Sequence, residues 1–307
     1  MPWRRLLTAL LTLWVIVTIA FVCLYRLPGD PARMILGGQA SAASVAAFRH
    51  EAGLDQPLFQ QYTHYLSRLF RLDLGRSFAL RRPVGEVLIE RGYYSFILAV
   101  CAGVVVVFLG MLLPLLLIAN RRIRALVVSE GVFQGLAFVP PFVLATAALV
   151  VVAGWLDWLP VIFETNRIAA WILPALVLSA YPVALVLKLF ADSLRTELTL
   201  PYARRARAFG FSHSFIVWKE VLPNAVPAAI AALVNGLAYF VTGAFFVEIV
   251  FGLPGLGRLG QEALRQKDVA LLTGVCLAFA VVMVLLSLLL DLLQRRLSPL
   301  GKSLHDD

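Results

Sequence analysis

The sequence predicts an all-α integral membrane protein with six transmembrane helices. Of its 307 residues, 61% are hydrophobic and only 15% are charged, whereas a soluble domain carries about 25% charged residues. Apolar runs of about 20 residues, the length that crosses a bilayer as a helix, recur along the chain. Positive charge gathers between these runs, as it does in loops that set membrane orientation.

The predicted spans lie at approximately 6–25, 95–119, 132–153, 169–190, 226–250 and 270–293. The first follows Arg4 and Arg5 but is longer than the core of a signal peptide, so we interpret it as a retained anchor. The third contains Pro140 and Pro141. Because proline removes a backbone donor, we expect this span to be bent and buried among the others.

The distribution of Lys and Arg predicts the orientation. With the N-terminus inside, the cytoplasmic pieces hold thirteen of these residues and the short outside loops hold four, which places both termini in the cytoplasm. The predicted organisation is an anchor with a long outside loop over 1–92, a core of five helices over 93–300 and a cytoplasmic tail over 301–307.

Two helices are predicted in the outside loop. Ser41 can cap the first, which runs through Ala52 to a stop at Gly53. Pro57 suits the first turn of the second. One face of this second helix is apolar and tyrosine-rich, with Leu58, Tyr62, Tyr65 and Leu69 in helical register. Such a helix either lies on the membrane surface or packs on the ends of the spans, and we favour packing.

The loop 192–224 is the largest cytoplasmic segment between spans. Thr199 and Pro201 predict a helix start, and Gly210 predicts its end. Ser212 can cap a second short helix, for which Leu222–Pro223 is the expected end. From spacing alone, an ordinary positively charged connector is an equally good interpretation.

The first of these short helices has a predicted docking face. Tyr202, Ala206 and Phe209 fall on one side, with the arginines pointing away. A small residue between two rings would let the backbone approach a groove on another protein.

The same loop resembles the cytoplasmic signature loop of binding-protein-dependent importer permeases. That signature has Glu-Ala-Ala, three residues, Gly, and a Leu-Pro pair twelve and thirteen residues later. Gly210, Leu222 and Pro223 keep this spacing, and Ala206 matches the second alanine. Arg204 and Arg205 replace the usual Glu and Ala, as in the peptide and nickel branch of the family.

Other segments resemble that branch in the same order along nearly the whole chain. They are 27–31, 53–58, 74–77, 82–84, 248–257 and 291–293. The resemblance implies a permease subunit in the bacterial inner membrane that imports a short peptide or a nickel complex. It also implies a periplasmic binding protein, a second homologous permease forming a heterodimer, and two cytoplasmic ATPase subunits that hold ATP and magnesium.

The resemblance also implies roles for particular residues. The loop that carries Tyr202, Arg204, Arg205, Ala206, Phe209, Gly210, Leu222 and Pro223 would couple to the ATPase. Glu248, with Pro254, Gly255 and Gly257, would belong to an outer gate. We expect Glu248 to be a structural anchor rather than a proton carrier.

Nucleotide, metal and nucleic-acid sites are not predicted in this chain. The run 255–260 matches a dinucleotide glycine pattern but follows an apolar span rather than a strand, so we interpret it as a tight turn. The scattered histidines do not predict a metal site, and no basic stretch stands apart from a span. The alternatives are an ion-coupled secondary transporter and an integral membrane enzyme, although neither charged relays nor a catalytic constellation stands out.

Overall fold

The computed structural model describes residues 7, 11–12, 14–15, 17–19, 21–22, 31–37, 40–51, 55–71, 73–77, 79–160, 162–266 and 268–297. Within these ranges the chain is helical and contains no strand. The helices are α1 (Pro31–Leu36), α2 (Ala42–Glu51), α3 (Leu58–Phe70), α4 (Val84–Ala119), α5 (Ile123–Ala137), α6 (Pro141–Trp155), α7 (Ile168–Glu197), α8 (Pro201–Ala208), α9 (His213–Phe251), α10 (Leu256–Arg265) and α11 (Val269–Leu297).

Among the described residues, four helices are long and apolar enough to cross a membrane: α4, α7, α9 and α11. The pair α5 and α6 gives a fifth crossing if it is one broken span. Half of the predicted first span, 6–25, lies outside the described residues. The chain is therefore a multi-span helical membrane protein, and six crossings remain a prediction.

The bend predicted at Pro140 and Pro141 is confirmed, because α5 and α6 meet at an angle of 107°. Pro140 precedes α6 in an extended conformation, and Pro141 occupies its first turn, where a missing N–H costs nothing. The expected burial is wrong for the single chain. Phe138, at the bend, is 88% exposed, and a broken pair of helices presents more surface than one straight span would.

The residues 95–253 and 283–307 form one compact unit, whose centre is the crossing of α7 and α9. A Cβ added at Gly236 would lie 3.1 Å from Pro182, and one added at Gly243 would lie 2.9 Å from Leu178. The two backbones therefore approach closely because glycine lacks a side chain. This close approach explains why α7 is the most deeply buried of the apolar helices.

The residues 1–94 and 254–282 form the other compact unit. In this unit Asp268 precedes α11 and is buried. Its carboxylate accepts hydrogen bonds from the Ser77 hydroxyl at 2.6 Å, the Ala79 N–H at 3.0 Å and the Leu271 N–H at 3.0 Å. Three donors compensate the cost of burying this charge, so Ser77 and Ala79 are held at the start of α11.

The packing predicted for the tyrosine-rich helix α3 is confirmed in the same unit. The Tyr62 hydroxyl lies 2.7 Å from the Thr18 hydroxyl, and the Tyr65 ring stacks on Phe21 with centroids 5.7 Å apart. Burial raises the pKa of the Tyr65 phenol to about 12. The Ser41 cap is also confirmed, since its hydroxyl accepts from the Ser44 N–H at 3.1 Å.

Two predicted helix ends are wrong. The helix that follows Ser212 does not end at Leu222–Pro223 but continues as α9 to Phe251. A wider π-helical turn over Val217–Val221 stands just before Pro223, and such turns relieve the clash that proline makes with the preceding turn. The run 255–260 is not a turn either, because it opens the amphipathic helix α10. The actual turn lies at Gly252, with a φ of 71°.

Candidate functional site

The helix α8 forms where the sequence predicts it, with Pro201 in its first turn and Gly210 beyond its end. Gly210 has a φ of 83°, a left-handed conformation that glycine adopts without strain. Thr199 does not cap the helix, since Leu200 occupies the cap position and the Thr199 hydroxyl donates to the Thr196 carbonyl. The confirmed glycine stop makes α8 a short, well-defined element.

The docking face predicted for α8 is only partly exposed in the single chain. Ala203 and Ala206 are both buried against an apolar cluster formed by α4, α5, α7 and α9. Ala206 therefore faces its own chain rather than a partner, because the three-residue spacing from Ala203 places both methyl groups on one side of the helix. Phe209, predicted beside Ala206, is instead 81% exposed.

The surface that α8 exposes combines aromatic rings with arginines, and we call residues 204–205, 209–211 and 215 the outer surface of α8. Arg204 and Arg205 are exposed on the helix. Beyond it, Phe211 and Phe215 stack with centroids 4.9 Å apart and are both substantially exposed. Exposed aromatic rings and arginines are the residue types enriched at protein interfaces, so this surface is suited to binding another protein.

Local hydrogen bonds hold the loop around α8 in place. The Tyr202 hydroxyl donates to the Glu197 carboxylate at 2.6 Å, and burial together with this bond raises the pKa of the Tyr202 phenol to about 12. Arg207 donates to the Leu198 carbonyl. His213 Nε2 lies 2.9 Å from the Ile118 carbonyl, which can only accept, so this nitrogen carries the proton. The loop is thereby fixed to the ends of α4 and α7.

Leu222 and Pro223, the last residues of the predicted coupling set, lie inside α9 rather than at a helix end. Leu222 is partly buried and packs against the cluster that holds Ala203 and Ala206, whereas Pro223 is exposed. The signature pair therefore joins the anchored part of the loop to the apolar length of α9.

A charged network beside this loop was missed at the sequence level. Arg195 of α7 contacts both carboxylate oxygens of Glu130 on α5, at 2.9 and 3.1 Å. Arg195 also pairs with Asp192 at 3.0 Å, and Asp192 pairs with Lys188 at 3.1 Å. Lys188 and Asp192 could have been paired from their i, i+4 spacing. The Glu130 contact spans 65 residues, so no local pattern indicates it.

Glu248 is fully buried near the end of α9. Its carboxylate accepts a hydrogen bond from the Ser95 hydroxyl of α4 at 2.6 Å. Its backbone carbonyl accepts from the Leu253 N–H at 2.9 Å. These contacts join two apolar helices and the turn after α9, which agrees with the interpretation of Glu248 as an anchor.

The other predicted gate residues belong to the second compact unit. Gly255 caps α10 in an extended conformation, and Pro254 stands just before it. Gly257 is buried within α10, as is Gly260, where an added Cβ would lie 3.2 Å from Val275. Gly260 thus permits close packing of α10 on α11, and the gate role of Pro254, Gly255 and Gly257 remains a prediction.

Several apolar helices of membrane-crossing length, with a short helix between two of them, are compatible with the membrane subunit of a transport system. The model of the binding-protein-dependent transport system inner membrane component matches residues 104–300, and the model of its N-terminal component matches residues 2–99. The chain belongs to this family, and it is a permease subunit of an ABC importer. The family excludes the secondary-transporter and membrane-enzyme alternatives.

Several relatives match over nearly their whole length. The chain is 32% identical to the glutathione transport system permease protein GsiC of Escherichia coli O6:H1 over 298 residues, which cover 96% of each chain. The identity is also 32% for the protein of the same name in Escherichia coli strain K12 and 31% for that of Salmonella typhimurium. The family describes a component of a larger system, so this subunit works with other transporter components in a bacterial inner membrane.

Proposed function

We propose that this chain transmits the work of a separate ATPase through α8 and thereby imports a short peptide-like solute. The observation that carries the proposal is the two-sided construction of α8. Its inner side is anchored by Ala203 and Ala206, while Phe209 and Arg204 project outward. A helix fixed on one side and exposed on the other can transmit displacement, whereas a mobile loop would absorb it.

The proposed partner at this surface is an ATPase subunit with an apolar cleft edged by acidic residues. Phe209, Phe211 and Phe215 would fill the cleft, and the arginines would add charge complementarity. ATP and magnesium would bind to that partner and not to this chain.

The proposed solute is glutathione or a peptide of similar size. The support is the name shared by relatives that match 96% of this chain. A nickel complex, the other solute implied by the branch, has no comparable support among these relatives.

The proposed assembly contains this permease, a second and different permease, two ATPase subunits and a periplasmic binding protein. Both termini and α8 would lie in the cytoplasm, because the thirteen-to-four distribution of Lys and Arg favours that orientation. The segment that carries α1, α2 and α3 would then face the periplasm.

Phe209→Ala tests the docking role. Because Phe209 is 81% exposed, its truncation should leave membrane insertion and thermal stability unchanged. We expect loss of ATPase co-purification and at least a tenfold fall in glutathione uptake, the effect of losing a hot-spot residue worth about 2 kcal/mol.

Gly210→Asp should likewise insert normally and uncouple uptake from ATP hydrolysis.

Phe70→Ala is the matched control, since Phe70 is equally exposed but lies at the end of α3. It should retain ATPase binding. Wild-type ATPase binding and uptake in Phe209→Ala would contradict the docking role.

A further inference from the structure

A face of α9 combines polar and small residues along most of its length. These residues recur at intervals of three and four: Asn224, Ala228, Ala231, Asn235, Tyr239 and Thr242. Such spacing places them on one side of a helix. We call this face the polar track. At about 1.5 Å per residue it is about 27 Å long, close to the ~30 Å thickness of the hydrocarbon core.

The polar track is not covered by the rest of its own compact unit. Asn224, Asn235 and Thr242 are exposed, and the other members are half-buried. The adjacent face of α9 is different, because Ala225, Ala229 and other residues there are buried in the bundle. The track is thus the side of α9 that remains available in the folded subunit.

The middle of the track extends onto α7 through a pair of tyrosines. Tyr239 stacks on Tyr181 with centroids 4.7 Å apart, and Tyr181 is 40% exposed. Both residues lie near the middle of their apolar helices. The close approach of Gly236 to Pro182 fixes this crossing, so the polar groups are presented by a rigid pair of helices.

The environment of the track follows from its chemistry. A side-chain amide that faces hydrocarbon leaves its donors and acceptors unsatisfied, which is costly at the bilayer centre. Ala228 and Ala231, which stand between the polar side chains, add little bulk to this face. A water-filled path would satisfy the polar groups of the track.

We infer that the polar track, together with Tyr181, lines the path of the transported solute, and that this solute is a polar organic molecule with amide groups. The amide of Asn235 and the hydroxyls of Tyr239 and Thr242 can donate and accept hydrogen bonds, as peptide groups do. Since the Thr242 hydroxyl donates to the Tyr239 carbonyl at 3.2 Å, its lone pairs remain available to solute N–H groups.

The same chemistry argues against a bare metal ion as the solute. The polar side chains of the track are neutral amides and phenol or alcohol groups, whereas imidazole is a ligand type suited to a nickel ion. Neutral hydrogen-bonding groups bind a peptide weakly. Weak binding suits a path, because the path must release its solute. This inference rests on the proposed import function and adds the residues that the solute contacts.

Single cysteines at Asn235 and Thr242 test the path, with Cys23, Cys101 and Cys276 replaced by alanine. In the assembled transporter in membranes, we expect a charged, hydrophilic maleimide to label both positions and glutathione to slow the labelling several-fold. Val234→Cys, buried next to Asn235, and Val100→Cys, exposed on the apolar surface of α4, are controls that should stay unlabelled. If the track positions are as unreactive as these controls, the inference is wrong.

Asn235→Leu and Thr242→Val test the solute class. We expect each to lower glutathione uptake at least tenfold while ATPase co-purification stays at the wild-type level. Uptake of nickel ions but not glutathione by the wild type would overturn the solute class. Failure of the docking role would give a different result. ATPase binding would then survive Phe209→Ala, and labelling of the track would be unaffected.

Discussion

Glu248 shows how a charge is accommodated at the end of an apolar helix. Its side chain is fully buried, and the Ser95 hydroxyl donates to it at 2.6 Å. A glutamate in such a position either carries protons or holds helices together. Glutamine separates the two roles, because it keeps an acceptor for Ser95 but cannot carry a proton.

We expect Glu248→Gln to retain most ATP-driven uptake and to lower the free energy of unfolding by about 1 kcal/mol. Glu248→Ala should lower it by about 1–3 kcal/mol, because Ser95 loses its acceptor and a cavity remains. Thermal unfolding in detergent and uptake in vesicles measure these effects. Loss of uptake in a stable Glu248→Gln protein would instead indicate proton transfer.

Among the helices, α5 and α7 are joined by an ion pair between residues distant in sequence. The pair α5 and α6 bends by 107°, and few of its residues are fully buried in the single chain. The contact of Glu130 with Arg195 fixes α5 to α7 beside the docking loop.

A double-mutant cycle with Glu130→Gln and Arg195→Ala measures this contact. Arg195→Ala leaves the largely buried Glu130 carboxylate without this cation and should destabilise by about 1–3 kcal/mol. Glu130→Gln should cost less, because Arg195 keeps its contact with Asp192 at 3.0 Å. The double change should lower the free energy of unfolding by less than the sum of the two single changes, with a coupling energy of about 1 kcal/mol or more. Strictly additive effects on thermal unfolding would show that the pair contributes nothing. The surface pair Arg82 and Glu90, at 2.8 Å but half exposed, is the control and should show little coupling.

Element boundaries could be predicted from sequence where a local signal decides them. Ser41, Pro201 and Gly210 all mark helix ends correctly, because caps and left-handed stops are properties of a few neighbouring residues. The helix end predicted at Pro223 was wrong, because the effect of proline on a helix depends on whether the preceding turn can widen to accommodate its ring. The burial of Ala206 against the bundle could not be predicted either, because spacing groups residues on a face without saying what covers it.

At the scale of the whole molecule, the fold class and the family follow from composition and ordered motifs. The division into two compact units cannot be predicted from composition or motifs, since each unit joins segments distant in sequence. Asp268 illustrates the reason, because its contact with Ser77 spans 191 residues.

Topology is the prediction that belongs to this scale. Reporter fusions at Gln60, in α3, and at Ala208, in α8, should report opposite sides of the membrane. An alkaline phosphatase fusion, active only outside, should be active at Gln60 and inactive at Ala208, and a cytoplasmic reporter should give the inverse pattern. Equal activity at both positions would show that the proposed orientation is wrong.

The wide turn over Val217–Val221 makes the length of the chain adjustable near the start of α9. A π-helical turn holds one residue more than an α-helical turn, so deleting one residue there would restore a regular helix and leave the faces on either side in register. The same deletion in the middle of α7 would rotate everything beyond it by about 100°. A single-residue deletion between the docking loop and the apolar length of α9 should therefore be tolerated better within this turn than in the regular helix that follows.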